Sequence, residues 1–248
     1  MPRTFYAPYN KQVDTFASQT RDAGSWLILP DERAFRYTLN DATAEVAANL
    51  YQSALPIADH HNVVADVARA VGAVAISATL GATLAAVDLY QEGYVLTNDA
   101  AGEGYLYRIK RARTSAEAHA AVAASAVLTA NLEPGESVQV ALTTSSEVSF
   151  NHNRFRVVLI HDSPPTATLV GVSPGVAAAS RWYYSQVRGP APVLTQGTLV
   201  IGDFCVPSAT TDGSVMPSAA FETDGPYVGI VRRVSATTEQ SLVDLCIE

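Results

Sequence analysis

DLYQEGYVLTNDAAGEGYLYRIK, residues Asp88–Lys110, reads as two half-buried strands joined by a loop, and this reading decides the fold class. Tyr94–Asn98 and Gly104–Lys110 flank NDAAGEG, whose Asn, Asp and Gly residues tolerate the positive φ of tight connections. Tyr105, Tyr107 and Ile109 fall on one face of the second segment, with Leu106, Arg108 and Lys110 on the other. That half-polar alternation belongs to an antiparallel sheet.

Working outward, Ala73–Leu80 (AVAISATL) alternates and ends at Gly81. Ala126–Thr144 predicts a hairpin, AVLTANL and VQVALTT around the turn EPGES. TTSSEVSFNHN reads as turn-forming polar sequence, and Arg154–Ile160 as a strand. Beyond Pro164–Pro165, the best linker candidate, short strands and Gly/Pro turns recur at intervals of roughly 10 residues, which suits a sandwich or barrel. Within this last third, Gly189–Pro192 reads as a rigid turn after the aromatic strand RWYYSQVR. No heptad run, low-complexity tract or clear internal repeat is visible.

Helical signals are few. Asp41 is placed to cap ATAEVAANLY, with Pro56 beyond its end, although the segment also reads as a loop. SAEAHAAVAAS (115–125) fits a short helix or a loop, and residues 63–72 fit both periods with a lean to strand. The expected fold is therefore mainly β: antiparallel sandwich or barrel-like domains with an extended N-terminal arm and few short helices. The expected divisions are an N-terminal contacting region at 1–75, a hairpin domain at 76–162, and a β-rich region at 166–248, the last two either separate or continuous.

The arm rests on composition. Phe5, Tyr6, Tyr9, Phe16, Trp26, Phe35 and Tyr37 are scattered through residues 1–40 without a core pattern, and such aromatics need a partner surface to cover them. The competing reading folds this region back on its own domain. Trp182 and Tyr183, in the aromatic strand, belong either to the core or to a subunit interface.

Apolar residues make up 48% of the 248 and charged residues 16%, against a usual charged share of about 25%. Sparse charge fits a β protein with a neutral surface, and equally one with extensive subunit contact. The net charge of −8 disfavours nucleic acid, which recruits clustered Lys and Arg. The only lysines are Lys11 and Lys110; the other basic residues are Arg, suited to bidentate carboxylate contacts. Cys205 and Cys246 lie in apolar, strand-like runs and read as free buried thiols, or as one bridge if their strands are neighbours. The first residues show no signal-peptide apolar stretch, and the Ala/Gly/Thr-rich window at 68–87 does not read as a membrane span.

A search for chemistry returns little. Asp59–His60–His61 is the best metal candidate, but neighbouring strand side chains point opposite ways and no further ligand has convincing spacing. No G-x-S-x-G elbow is present, and Ser145, Ser146 and Ser149 near His152 make no triad by proximity alone. Gly102–Gly104 lacks the features of a phosphate loop, and nothing places Glu92 and Glu103 around a sugar. The expectation is a protein without catalytic residues, metal or cofactor.

Three segments resemble the head decoration, or cement, proteins of tailed phages. They are Ala78–Lys110, Val140–Phe155 and Val170–Ser208, followed by a VGIVRRVSATTEQSLVDLCI tail; they come in the same order and cover about two thirds of the chain. The resemblance implies a virion protein on the outer capsid surface. Its partners would be the major capsid protein and further copies of itself, as a homotrimer or homodimer, with no nucleic acid and no membrane. It brings no catalytic residues. The alternatives are a head fibre or glycan-binding adhesin, for which a stalk would be expected, and a tail or connector protein.

Overall fold

The computed structural model describes residues 3–114, 117–218 and 226–248. They form a mainly β protein made of two compact units, one inserted in the other: residues 56–153 form the second unit, and 1–55 with 154–248 form the first. These divisions differ from the expected ones. Pro164–Pro165 lies inside the first unit, where Thr166 Oγ1 donates to Asp162 Oδ2 and Gln52 Nε2 reaches both side chains.

In chain order the first unit contributes β1 (Thr4–Tyr6), β2 (Trp26–Ile28), β3 (Ala34–Leu39) and β4 (Leu50–Gln52). The inserted unit supplies β5 (Val63–Val64), β6 (Ala75–Thr79), β7 (Tyr94–Asp99), β8 (Leu106–Arg108), β9 (Val127–Asn131) and β10 (Glu147–Asn151). The first unit resumes with β11 (Leu159–Ile160), β12 (Leu169–Val172), β13 (Trp182–Leu194), β14 (Phe204–Pro207), β15 (Val215–Pro217), β16 (Gly229–Arg233) and β17 (Gln240–Cys246). Among the described residues no helix reaches seven residues, and short 3-10 turns lie at Lys11–Val13 and Ala58–His60.

The main sheet of the first unit runs β1-β2-β3-β13-β17-β16-β14-β15, with β4, β11 and β12 branching from it. It is an open sheet, not a closed barrel. β1 lies parallel to β2, and the other pairings are antiparallel. Its organiser is β13, whose first half pairs β3 from Trp182↔Leu39 to Arg188↔Ala34 and whose second half pairs β17 from Arg188↔Cys246 to Leu194↔Gln240. Gly189–Pro192 is therefore strand, not a turn. Proline survives there because the N positions of 190 and 192 face away from β17, the side on which the Leu194 N–H finds the Ala48 carbonyl.

Strand alternation divides β3 and β13 between two faces. Phe35 and Tyr37 share one face with Trp182 and Tyr184, and Leu27, Leu29 and Ala23 complete a core there. The opposite face carries Thr38, Tyr183 and Ser185, all buried; a separate cluster joins Tyr51, Val158 and Val170. A third cluster lies under β14–β17, around Cys205, Val231, Val243 and Leu245.

The inserted unit holds a four-stranded sheet, β5-β10-β7-β8, and a β6-β9 pair over one core. The expected hairpin is present: β7 and β8 pair from Tyr94↔Arg108 to Leu96↔Leu106, with Tyr107 and Ile109 buried. Two other expectations fail. β9 pairs with β6, not with residues 138–144, and the segment read as polar turn contains β10, whose Val148 and Phe150 enter the core. Serine and asparagine flanks concealed its two-residue alternation.

At 42–51, read from the sequence as a capped helix or a loop, the chain forms no helix but a recurring corner. Glu45 and Ala177 form an antiparallel bridge, and Ala48 and Ser180, each three residues further on, have φ of 66° and 54°. Ala48 N–H donates to Ser173 O at 2.8 Å and Ser180 N–H to Asp41 O at 2.7 Å, so the two arms lock reciprocally. The same device joins Ala85 to Val122, where Asp88 and Ser125 both have φ of 57°. A third bridge, Arg69↔Leu142, repeats one arm through Gly72, with φ of 88°. What recurs is a left-handed residue at a fixed offset from a bridge, a demand that Ala, Asp, Ser and Gly all meet.

Candidate interaction surface

The N-terminal segment folds onto its own sheet. β1 sits beside β2, and Ala7 N–H donates to Ile28 O at 3.1 Å. Phe16 exchanges backbone hydrogen bonds with Trp182 at 2.8 and 3.0 Å, and its ring meets Tyr37 and Tyr184 edge-on at 5.8 and 6.1 Å. The Arg21 guanidinium lies 4.0 Å over the Phe5 ring and donates to the Tyr184 hydroxyl at 3.2 Å. An extended arm is thus replaced by a strap, because these aromatics find their cover within the same unit.

The aromatic residues singled out in the sequence separate by exposure. Phe35 and Tyr37 are 0% exposed, and Trp182 and Tyr183 are buried, so these belong to the chain's own interior. Trp182 stacks on Tyr37 at 4.9 Å. Phe5, Phe16 and Trp26 are half-buried, Trp26 beneath the Arg36 guanidinium at 3.4 Å. Arg36 donates to Gly24 O at 2.7 Å and to Glu248 Oε2 at 2.5 Å. Gly24 is required here: its φ is +80°, and a Cβ would stand 2.5 Å from the Phe155 ring. Tyr6 and Tyr9, 80% and 52% exposed, do present their rings.

Sequence reading missed the aliphatic surface. In the first unit Val46, Val176, Val200 and Ile201 are exposed, and in the inserted unit Val71, Val74, Leu84 and Val87 are. Several of these flank the bridged corners, where the turn directs side chains outward. The legible signal was a run of Ala and Val beside a turn residue, as in GVAAAS and ATLAAVD.

Beneath the first corner lies a buried acid. Glu45 is only 2% exposed, and its carboxyl faces the hydroxyls of Tyr51 and Tyr183. Burial pushes it up to about 8, against the pull of those hydroxyls, and Asp41 adds to the rise. Burial likewise raises both tyrosines. At neutral pH Glu45 is a protonated carboxyl able to donate a hydrogen bond, enclosed away from solvent.

The other sequence candidates disperse. Asp59 Oδ2 accepts from Thr83 Oγ1, and His60 is buried against Tyr90. Among the described residues no three His, Cys, Asp or Glu side chains converge as metal ligands would. Cys205 and Cys246 are free thiols, the first buried as expected and the second exposed, since it ends β17 on the face opposite the buried Val243 and Leu245. No helix among the described residues is long and apolar enough to cross a membrane. Comparison with protein-family models, with curated proteins and with solved structures found no match.

Proposed function

We propose that this chain is a structural protein of a tailed-phage virion, made in the host cytoplasm and bound to the outside of the head. There it associates with the major capsid protein and with further copies of itself, as a trimer or dimer, and cements adjacent capsomers after shell expansion. The role is mechanical, with no catalytic step. The observation that carries it is the set of aliphatic and tyrosine side chains left exposed in both units on a chain with few charges. Exposed apolar side chains that gather into a patch mark protein contact. The ordered resemblance of Ala78–Lys110, Val140–Phe155 and Val170–Ser208 supplies the partner. With the N-terminal strap folded down, contact falls to Tyr6, Tyr9 and the corner valines. Many equivalent copies on a lattice make each weak contact effective.

The test is the number of copies of this chain per major capsid protein in purified virions, by quantitative mass spectrometry. A ratio near one, or a simple fraction of it, supports a lattice-wide cement. About a dozen copies or fewer indicates a connector, tail or fibre, and absence from virions overturns the reading.

A further inference from the structure

Tyr90 stands at the centre of a histidine node in the inserted unit. Its hydroxyl lies 2.5 Å from His60 Nδ1, and His60 Nε2 lies 2.8 Å from the Thr83 carbonyl oxygen. A carbonyl only accepts, so Nε2 carries the ring proton and Nδ1 accepts the Tyr90 O–H. On its other side the Tyr90 ring stacks on His152, with centroids 4.9 Å and planes 10° apart, and leans on Phe150 at 5.6 Å. The Nε2 atoms of His152 and His61 are buried without hydrogen-bond partners.

The node joins distant parts of the chain. His60 and His61 follow the start of the unit at Pro56, and His152 precedes its end at Asn153. The two ends of the unit are therefore fastened to each other through Tyr90. We propose that this node is an acid-sensitive clasp, and that protonation of His152 opens it and frees the ends of the inserted unit.

A proton on His152 would place a charge beside His60 and His61 in a site whose Nε2 has no acceptor. Among the described residues, burial and the neighbouring His60 and His61 act on its ring, and Asp59 Oδ2 is engaged by Thr83 Oγ1. Tyr90 is held in its neutral form by burial. Burial first, then the nearness of His60 and His61, keep the closed-state His152 neutral down to about pH 4, against 6.5 ordinarily. Between those values the open state binds more protons than the closed one, so falling pH favours opening.

The test is hydrogen exchange on the intact chain, corrected for the intrinsic rate. It follows the His61, Asn62 and Gly93 amides, which donate to Ala58 O, Ser149 Oγ and Tyr90 O. Opening is expected to rise about 20-fold from pH 7 to pH 5, while the Leu39 amide of the first unit holds steady. His152→Phe keeps a ring on Tyr90 and is expected to abolish the rise. A wild-type response that is flat, or shared by Leu39, or retained in His152→Phe overturns the proposal. Should that variant fail to fold, NMR titration of the wild-type His152 ring decides: a midpoint near 4 supports the clasp, and one near 6.5 overturns it.

Discussion

Replacing Glu45 by Gln should change how stability depends on pH, because this carboxyl is nearly solvent-free in the folded protein. It keeps its proton up to about pH 8 when folded and releases it near 4.5 when unfolded. Across that window the folded state binds more protons, so the stability it brings is complete at acid pH and drains away as pH rises. Between pH 5 and pH 8 the loss comes to about 3.5 kcal/mol, at up to roughly 1.4 kcal/mol per pH unit. Gln is nearly isosteric, cannot ionise, and still hydrogen-bonds to Tyr51 and Tyr183. The variant should match wild type near pH 5 and exceed it at pH 8 by that amount. Urea denaturation followed by tryptophan fluorescence suits the question, since Trp26 and Trp182 both lie in the unit that holds Glu45. A gap between the two proteins that stays constant with pH would refute a buried, protonated Glu45.

Trp182→Ala removes the ring stacked on Tyr37 and should cost about 3–5 kcal/mol, with light scattering showing no change in oligomer size. Gly24→Ala meets both the left-handed backbone and the Phe155 ring, and a loss of about 1–3 kcal/mol in thermal melting is expected. A thiol reagent should label one cysteine per native chain, the exposed Cys246. Cys205, whose thiol burial pushes up to about 12, should react only on unfolding.

The folded N-terminal strap bears on any account of assembly. Removing residues 3–16 would strip Phe16 from Tyr37 and Tyr184, so such a deletion measures core integrity before it measures binding. In the proposed role, contact would fall instead to the exposed Tyr6, Tyr9 and corner valines.

Where polar and apolar residues alternate over several positions, as in Tyr94–Asp99 and Leu106–Arg108, strand and burial were legible, because the two-residue period of a pleated strand is written into adjacent side chains; in Ala75–Thr79 the strand was legible but not its burial on both faces. The mainly β class followed from those segments. Strand partners were not legible: β9 joins β6 across some fifty residues of chain, and local pattern carries no information on partners so distant. Nor were the corners, since a left-handed residue can be Ala48, Asp88, Ser125 or Gly72 and shows only when its bridge is seen. The sequence by itself determined the strand-forming segments, the sparse charge and the aromatic richness of residues 1–40. Only the tertiary structure decided that those aromatics cover their own sheet, that Gly189–Pro192 is strand, and that Glu45 and His152 are enclosed. Burial is a property of what packs over a residue, and that is set by pairings between segments far apart in the chain.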